Sequence, residues 1–213
     1  MTRAISVVNV DTVLMLFCKA PEINTVKTRL QTQLSAQQAL AAHLELTQLS
    51  LVRACQITNC AVQLHCTPSL EHAFFRDCAQ RFPISLVIQQ GEDIGERMAN
   101  ALATALLKYP YAVVMGCDCP SITHQQISQA FEILKTGYDV VIAPAEDGGY
   151  VLLGLSSPQP CLFDAMRWSQ VEVMAETRLR IQQAQLRAFE LPVQWDVDRP
   201  EDWQRYLTTR IQL

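Results

Sequence analysis

The sequence predicts an α/β protein, a doubly wound and mostly parallel, mixed sheet with helices on both faces in three layers. Short apolar runs of strand length alternate with longer amphipathic segments along the whole chain. With 213 residues, 49% of them apolar, the chain is long enough to bury a sizeable core. No repeat, low-complexity tract or Ser/Gly-rich linker interrupts the alternation. Residues 1–213 are therefore interpreted as one domain.

The elements follow from local patterns. The run Val13 to Phe17 is continuously apolar, which suits a strand buried on both faces. Ser35 and Gln38 have the spacing of a capping box ahead of a helix that ends near Cys55. Further strands are expected at 61–66, 84–88, 111–115, 140–143, 150–155 and 189–191, and further helices at 70–81, 94–108, 124–136, 171–182 and from 200 onward.

The charge and hydropathy of the chain indicate which kinds of partner to expect. The net charge of −4 is spread along the chain without a basic block, which argues against nucleic acid and anionic membranes and favours a small molecule. No apolar run approaches the length of about 20 residues that spans a membrane. Asn9 and Asp11 interrupt the apolar residues after Arg3, so no export signal is predicted. We expect a cytoplasmic protein.

The eight cysteines are interpreted as reduced packing residues. The chain contains no C-x-x-C, and the close pair Cys117 and Cys119 lacks a second cysteine pair. His124 is the only nearby imidazole, so a tetrahedral zinc site is not expected.

The loop after the first strand carries cations. Lys19 ends the strand, and Lys27 and Arg29 lie two residues apart ahead of a helix. Such a pair can hold phosphate oxygens, although the glycines of a Walker A loop are missing. Taken alone, solvated cations at a helix start are the commoner explanation.

The loop after the third strand contains Gln90, Gly91 and Gly95. Glycines near a helix start permit close approach of a ligand to the backbone, and the Gln90 amide can both donate to and accept from a nucleobase edge. A polar loop with Asp93 as helix N-cap explains the same residues equally well.

Acidic residues follow two later strands. Asp118 stands at the end of an apolar run, and Pro120 keeps the chain extended beyond it. Asp196 and Asp198 alternate in an extended segment, so both side chains can face one ion. Hard oxygen ligands suit Mg²⁺ or Mn²⁺. The alternatives are a turn aspartate at 118 and a helix N-terminus at 198.

The segment Pro144 to Tyr150 contains two acids and then two glycines. Asp147, Gly148, Gly149 and Tyr150 are interpreted as a tight loop against which a sugar or other small acceptor lies, in preference to a bare Asp-Gly hairpin turn. Trp168 is a candidate for the wall of that acceptor pocket, with core packing as the alternative.

Together these segments resemble a family of nucleotide-diphospho-sugar transferase-like proteins, long treated as a domain of unknown function. Its members are labelled radical-SAM-associated or arsenosugar-biosynthesis glycosyltransferases. The motifs that carry the resemblance are 19–21 with 27–30, 90–91 with 95–98, 116–120, 144–150, 168–169, and 196–198 with 200–202. The resemblance implies a GT-A fold with a nucleotide over the first half of the sheet. Where the family usually has glycine, this chain has Asn24, which tolerates left-handed dihedral angles.

The resemblance also implies roles for individual residues. Lys27 and Arg29 would hold phosphate, Gln90 and Gly95 would contact the base, and the three aspartates 118, 196 and 198 would bind the metal. We expect a metal-dependent glycosyltransferase that uses a nucleotide sugar and a small acceptor, with Asp118 and Asp147 as the catalytic candidates. A nucleotidylyltransferase that uses a nucleoside triphosphate, similar to phospholactate guanylyltransferase, and a non-catalytic nucleotide-binding protein are the alternatives.

Overall fold

The computed structural model describes residues 10–168 and 170–210. Arg3 and Asn9, used above with Asp11 to argue against export, and Ser169 of the 168–169 motif lie outside the described residues. The strands are β1 (Thr12–Lys19), β2 (Cys60–Thr67), β3 (Ser85–Ile88), β4 (Tyr111–Gly116), β5 (Val140–Pro144), β6 (Tyr150–Leu155) and β7 (Ala188–Glu190). The helices are α1 (Ala36–Ala54), α2 (Ala73–Arg81), α3 (Ile94–Leu106), α4 (His124–Lys135), α5 (Val173–Gln183) and α6 (Pro200–Arg210), with 3-10 turns at Thr28–Thr32 and Pro160–Leu162.

The strands form one mixed sheet in the order β3-β2-β1-β4-β6-β5-β7. Strand β6 runs antiparallel to both of its neighbours, β4 and β5, and the remaining pairs are parallel. The predicted fold class is therefore confirmed. From β1 the chain adds β2 and β3 on one side of the sheet and then returns to place β4 on the other side of β1. The direction in which strands are added therefore reverses between β1 and β4. A crevice opens at the carboxyl ends of strands at such a point.

Helices cover both faces of the sheet. Strand β1 is buried on both faces, because Leu14 and Leu16 pack into one core and Val13 and Met15 into the other. Helices α1, α2 and α4 contribute to the first core, whereas α3 and α5 contribute to the second. A smaller cluster joins α1, α6 and the first 3-10 turn. None of the helices within the described ranges is long and apolar enough to cross a bilayer.

The predicted helix starts are confirmed where side chains cap them. Ser35 and Gln38 form a complete capping box at α1, and Thr123 and Gln126 form another at α4. The Asp93 side chain accepts the Glu96 backbone N–H at the start of α3. All eight cysteines are free thiols, and Cys117 and Cys119 are among those buried in the core.

The tight loop expected after β5 is a β-hairpin turn, and its role toward an acceptor stays a prediction. Strands β5 and β6 are antiparallel, and the Ala145 N–H donates to the Gly149 carbonyl across the turn that joins them. Gly148 has a φ of 91°, a left-handed value that glycine adopts without steric cost. The glycines therefore close a hairpin turn, and the acids before them project from its tip.

Candidate functional site

Two adjoining cavities lie at the carboxyl ends of β1 and β4. The first-loop cavity, about 520 Å³, is lined among others by Lys19, Lys27, Arg29, His43, Gln89, Asp118 and Asp198. The hairpin cavity, about 530 Å³, is lined among others by Asp118, Asp147, Gly149, Tyr150, Trp168, Asp196 and Asp198. Both include Phe17, Arg29, Ile94, Gly116, Asp118 and Asp198 in their walls. A ligand with two parts can therefore place one part in each cavity, with the junction between the parts next to Asp118.

The first loop is shaped to direct Lys27 inward. Asn24 and Lys27 both have left-handed backbone angles, with φ values of 64° and 48°. The Asn24 angle confirms that this residue can replace the family's glycine. Lys27 Nζ donates to Asp118 Oδ2 at 2.9 Å and to the Val197 carbonyl at 2.6 Å, and its side chain is only 8% exposed. A left-handed backbone is unfavourable for lysine, and here it accompanies a side chain that turns into the protein toward the end of β4.

Asp118 is folded back against its own strand. A Cβ atom on Gly116 would lie 2.7 Å from Asp118 Oδ1, so the absence of a side chain there makes room for the carboxylate. Burial by itself would raise the pKa of Asp118, but the charge and hydrogen bond of Lys27 hold the pKa below its usual value. Asp118 is therefore ionised at neutral pH and already faces a cation.

Backbone and hydroxyl contacts join the β4 exit to the late acidic segment. The Val197 N–H donates to the Asp118 carbonyl at 2.9 Å. The Ser121 hydroxyl donates to the Trp195 carbonyl and accepts the Trp195 N–H, both at 2.9 Å. Arg53 Nη1 donates to the carbonyls of Pro120 and Ile122, both at 2.8 Å. These bonds fix the distance between Asp118 and the carboxylates of residues 196 and 198, and sequence reasoning identified neither Ser121 nor Arg53.

We expect Ser121→Ala to lower the free energy of unfolding by about 1–3 kcal/mol, because both polar backbone groups of Trp195 lose their partner. Urea unfolding of the purified variant measures this. Ser69→Ala is the matched control, since the exposed Ser69 hydroxyl accepts only the Glu71 N–H. Equal changes in the two variants would contradict a special role for Ser121.

The two late aspartates have different surroundings. Burial, followed by the negative charges of Asp118 and Asp147, raises the pKa of Asp196 to about 7. Asp198 instead pairs with Arg29. The backbone N–H groups of residues 198 and 199 donate to Asp202 at 3.1 and 2.7 Å, so Asp202 supports the start of α6. Asp198 is thus available to face the cavity rather than cap the helix.

The hairpin cavity brings together most of the residues predicted for the acceptor. Asp147 is exposed at the turn, and its Oδ1 accepts the Gly149 N–H at 2.9 Å. The Gly148 carbonyl accepts the Met174 N–H at 2.8 Å, which ties the turn to α5. The Tyr150 and Trp168 rings meet edge to face at 6.5 Å. The cavity therefore has an acidic rim and an aromatic wall.

Three predicted nucleotide-binding residues have contacts that sequence reasoning did not anticipate. Lys19 Nζ donates to the Thr25 carbonyl at 2.9 Å and so braces the first loop from within the cavity wall. Gln90 lines a separate groove between β3 and α3, and it is Gln89 that lines the first-loop cavity. At Gly95, a Cβ atom would lie 2.0 Å from the Trp168 indole nitrogen. The indole therefore packs directly on the glycine.

The floor of the first-loop cavity contains two thiols. Cys18 near the end of β1 and Cys117 after β4 both line this cavity, and the His43 Nε2 atom from α1 lies 3.9 Å from the Cys18 sulfur. The neighbouring Cys117 thiol and His43, acting against burial, lower the pKa of Cys18 below its usual value. These thiols lie beneath Asp118 rather than beside it in the cavity opening.

The residues fit a divalent cation by their chemistry. Asp118, Asp196 and Asp198 supply the hard oxygens that Mg²⁺ and Mn²⁺ prefer. The Lys27 ammonium already stands as a cation between the Asp118 carboxylate and the Val197 carbonyl. Within residues 10–168 and 170–210, however, no three acidic, histidine or cysteine side chains converge in a metal-holding arrangement. A metal at this position would share the Asp118 carboxylate with the Lys27 ammonium.

The fold is shared with enzymes that act on nucleotides. A candidate nucleotide-diphospho-sugar transferase from Desulfovibrio desulfuricans G20 is 30% identical, with a TM-score of 0.80 over 89% of this chain and 83% of that one. A CMP-2-keto-3-deoxy-manno-octonic acid synthetase solved with CTP has a TM-score of 0.56 at 13% sequence identity. The match covers 95% of this chain and 99% of that one. A 4-diphosphocytidyl-2C-methyl-D-erythritol synthase from Anaerococcus prevotii has a TM-score of 0.61 at 7% sequence identity. The match covers 97% of this chain and 98% of that one. These structures define the class as the nucleotide-diphospho-sugar transferase fold.

The chain belongs to the family described as uncharacterized proteins conserved in bacteria, DUF2064, whose model matches residues 50–170. No curated protein matches the sequence. The resemblance inferred from the motifs is confirmed, and family and fold together support a transferase.

Proposed function

We propose that the chain is a metal-dependent glycosyltransferase that moves a sugar from a nucleotide sugar to a small acceptor. The observation that carries this proposal is the meeting of two cavities at Asp118, one with cations and one with an acidic rim and an aromatic wall. A nucleotide sugar has a matching division, because its phosphates are anionic and its sugar is neutral and polar. The 30% identity to a candidate nucleotide-diphospho-sugar transferase supports the same class of donor.

The donor phosphates are assigned to the first-loop cavity. Lys27 and Arg29 would contact the phosphate oxygens, and fixed cations stabilise the charge that grows on a leaving diphosphate. Asp118, Asp196 and Asp198 would hold Mg²⁺ or Mn²⁺, which supplies further neutralisation of that charge. Base recognition by Gln90 and Gly95 stays a prediction, and Gln89 joins it as a candidate because it lines this cavity.

The acceptor is assigned to the hairpin cavity. Tyr150 and Trp168 form an apolar wall, and sugars stack on such rings while their hydroxyl groups reach the polar rim. The backbone of Gly149 would lie against the acceptor, whereas Gly148, predicted for the same role, is packed against the Val171 carbonyl and is not part of the cavity wall. Asp147 would orient or deprotonate the attacking hydroxyl, because it is an exposed carboxylate at the rim of the same cavity.

Nucleotidylyl transfer is the second candidate. The observation that favours it is that the cations Lys27 and Arg29 line the first-loop cavity together with Asp198 of the late acidic segment. The two reactions release different products. Glycosyl transfer releases a nucleoside diphosphate, whereas nucleotidylyl transfer releases pyrophosphate from a nucleoside triphosphate.

Thermal-shift screening against nucleotides and nucleotide sugars with Mg²⁺ or Mn²⁺ tests the proposal first. We expect a nucleotide sugar with metal to raise the melting temperature, and that donor to give nucleoside diphosphate when acceptors are added. Pyrophosphate release from a triphosphate would instead establish the second candidate, and binding without turnover of any donor would establish a non-catalytic nucleotide-binding protein. No shift with any ligand would exclude all three. In the same assay, full turnover by Asp147→Asn would remove Asp147 from its assigned role.

A further inference from the structure

Four buried thiols belong to one core cluster beneath the first-loop cavity. Cys66 and Cys18 lie near the carboxyl ends of the neighbouring strands β2 and β1, Cys117 follows β4, and Cys78 comes from α2. Cys18 and Cys117 also line the cavity, whereas Cys66 and Cys78 are not part of its wall. A small molecule that enters the cavity therefore meets the first two thiols and not the other two.

Cys18 and Cys117 occupy neighbouring positions on parallel strands. The residues that precede them, Phe17 and Gly116, are register partners of β1 and β4. Neighbouring strands lie about 4.8 Å apart, which is inside the range of about 4.4–6.8 Å between the Cα atoms of a disulfide. Both side chains are on the same face of the sheet, because both pack in the core to which α1, α2 and α4 contribute. The backbone therefore permits a bond between the two sulfurs.

His43 presents a hydrogen-bond donor to the Cys18 sulfur. The Nε2 atom of His43 lies 3.0 Å from the Lys19 carbonyl, and since a carbonyl can only accept, Nε2 carries the hydrogen. The same nitrogen is 3.9 Å from Cys18 Sγ. A donor at the sulfur favours the thiolate, which is the reactive form of cysteine. The pKa of Cys18, lowered by Cys117 and by His43 against burial, agrees with this arrangement.

We propose that Cys18 is a site of oxidation by hydrogen peroxide and that Cys117 converts the oxidised sulfur to a disulfide. The Cys18 thiolate attacks one peroxide oxygen, so an S–O bond forms, the O–O bond breaks, and the other oxygen leaves as hydroxide, which takes up the thiol proton and becomes water. The Cys117 sulfur then attacks the Cys18 sulfur. An S–S bond forms, the S–O bond breaks, and the hydroxyl group leaves with the Cys117 proton as water. The two thiols are oxidised, and the peroxide is reduced to water.

The disulfide would lie directly beneath the candidate site. Cys18 precedes Lys19 in the chain, and Cys117 precedes Asp118. Oxidation would therefore join the positions next to a lysine of the first-loop cavity and next to the carboxylate that both cavities share. The inference needs neither a donor nor a metal, so it does not rest on the proposed function.

Peptide mass mapping after brief exposure to hydrogen peroxide tests the proposal. All proteins carry Cys161→Ser, because this exposed thiol would otherwise link two chains. We expect the protein with no other change to lose two thiols and to yield one reducible pair, Cys18 with Cys117. Cys66→Ser is the matched control and should leave this pair unchanged. Cys66 is also buried and is the register partner of Cys18 on β2, but it is not part of the cavity wall.

Cys117→Ser separates the two steps. Without the second thiol, oxidised Cys18 persists as a sulfenic acid and should be labelled by dimedone, a reagent for sulfenic acids. Cys119 has the same 2% exposure as Cys18 but is not part of the cavity wall. Its labelling should be lower by about tenfold, because oxidation of cysteine follows thiolate character and access. Circular dichroism confirms that each variant is folded.

Three results would overturn the proposal: a disulfide between Cys18 and Cys66, equal labelling of Cys18 and Cys119, or recovery of Cys18 and Cys117 as thiols after peroxide treatment. These readouts are independent of turnover. If the Cys18–Cys117 pair forms while the reduced protein binds no nucleotide or nucleotide sugar, the proposed function fails and this inference stands.

Discussion

Asp118→Asn is expected to reduce donor turnover by about 100- to 1000-fold, the loss that follows removal of one preorganised charge-stabilising group. Asp118 contacts Lys27 and is present in both cavities, so neither the cation nor the proposed metal would be held correctly without its charge. The measurement is turnover at saturating donor and metal, with the donor found by screening.

The flanking thiols provide the controls for this prediction. Cys117 and Cys119 are 4% and 2% exposed and are packing residues of the core beneath the site. Cys117→Ala and Cys119→Ala should keep turnover within about threefold of wild type and lose stability instead, as expected when a buried side chain is shortened. A loss in either cysteine variant as large as that of Asp118→Asn would show that a thiol takes part in the chemistry.

Gly95→Ala is expected to displace Trp168 and to reduce acceptor-dependent turnover at least tenfold. The new Cβ would lie 2.0 Å from the indole nitrogen and 2.1 Å from Cε2, which no rotation of a methyl group relieves. Helix α3 itself should tolerate the change, because Gly95 is in its first turn and alanine is a better helix former than glycine. A loss of turnover therefore could not be assigned to the helix.

Tryptophan fluorescence measures the displacement directly. Trp168→Phe assigns the Trp168 signal, and the change in Gly95→Ala should match the change in that signal. Ala103→Val is the control, since it enlarges an exposed side chain on the same helix. Unchanged emission together with unchanged turnover would mean that the indole has no part in shaping the acceptor wall.

Local patterns were sufficient for most of the fold. The capping boxes at Ser35 and Thr123 and the unbroken apolar run of β1 are each encoded within a few neighbouring residues, so the sequence predicts them well. The strand order could not be predicted from local patterns, because the insertion of β6 between β4 and β5 depends on packing between segments that are distant in the chain. The turn at Asp147 and Gly148 had the ordinary Asp-Gly signal of a hairpin, whereas its hydrogen bond to Met174 of α5 depends on a residue distant in the chain.

The candidate site likewise has residues that local sequence predicts and contacts that it does not. Lys27, Arg29, Asp118 and Asp198 were expected at one edge because all follow strands or lie near a helix start, and the structure brings them together. Their pairing was not expected, since a sequence does not show which cation meets which acid. Gln90 and Gln89 differ by one position, and a shift of one residue at a strand end reverses the direction of a side chain. Ser121 had no local signal, because its partner Trp195 is 74 residues away.

The bond network between the β4 exit and residues 195–198 also has a consequence for the order of folding. Trp195 is bound by Ser121, 74 residues earlier in the chain, and Val197 is bound by Asp118. Residues 196 and 198 therefore reach their positions only when their segment docks on the assembled sheet. A partly folded chain with residues 195–198 undocked would keep most of its core and lack the candidate site.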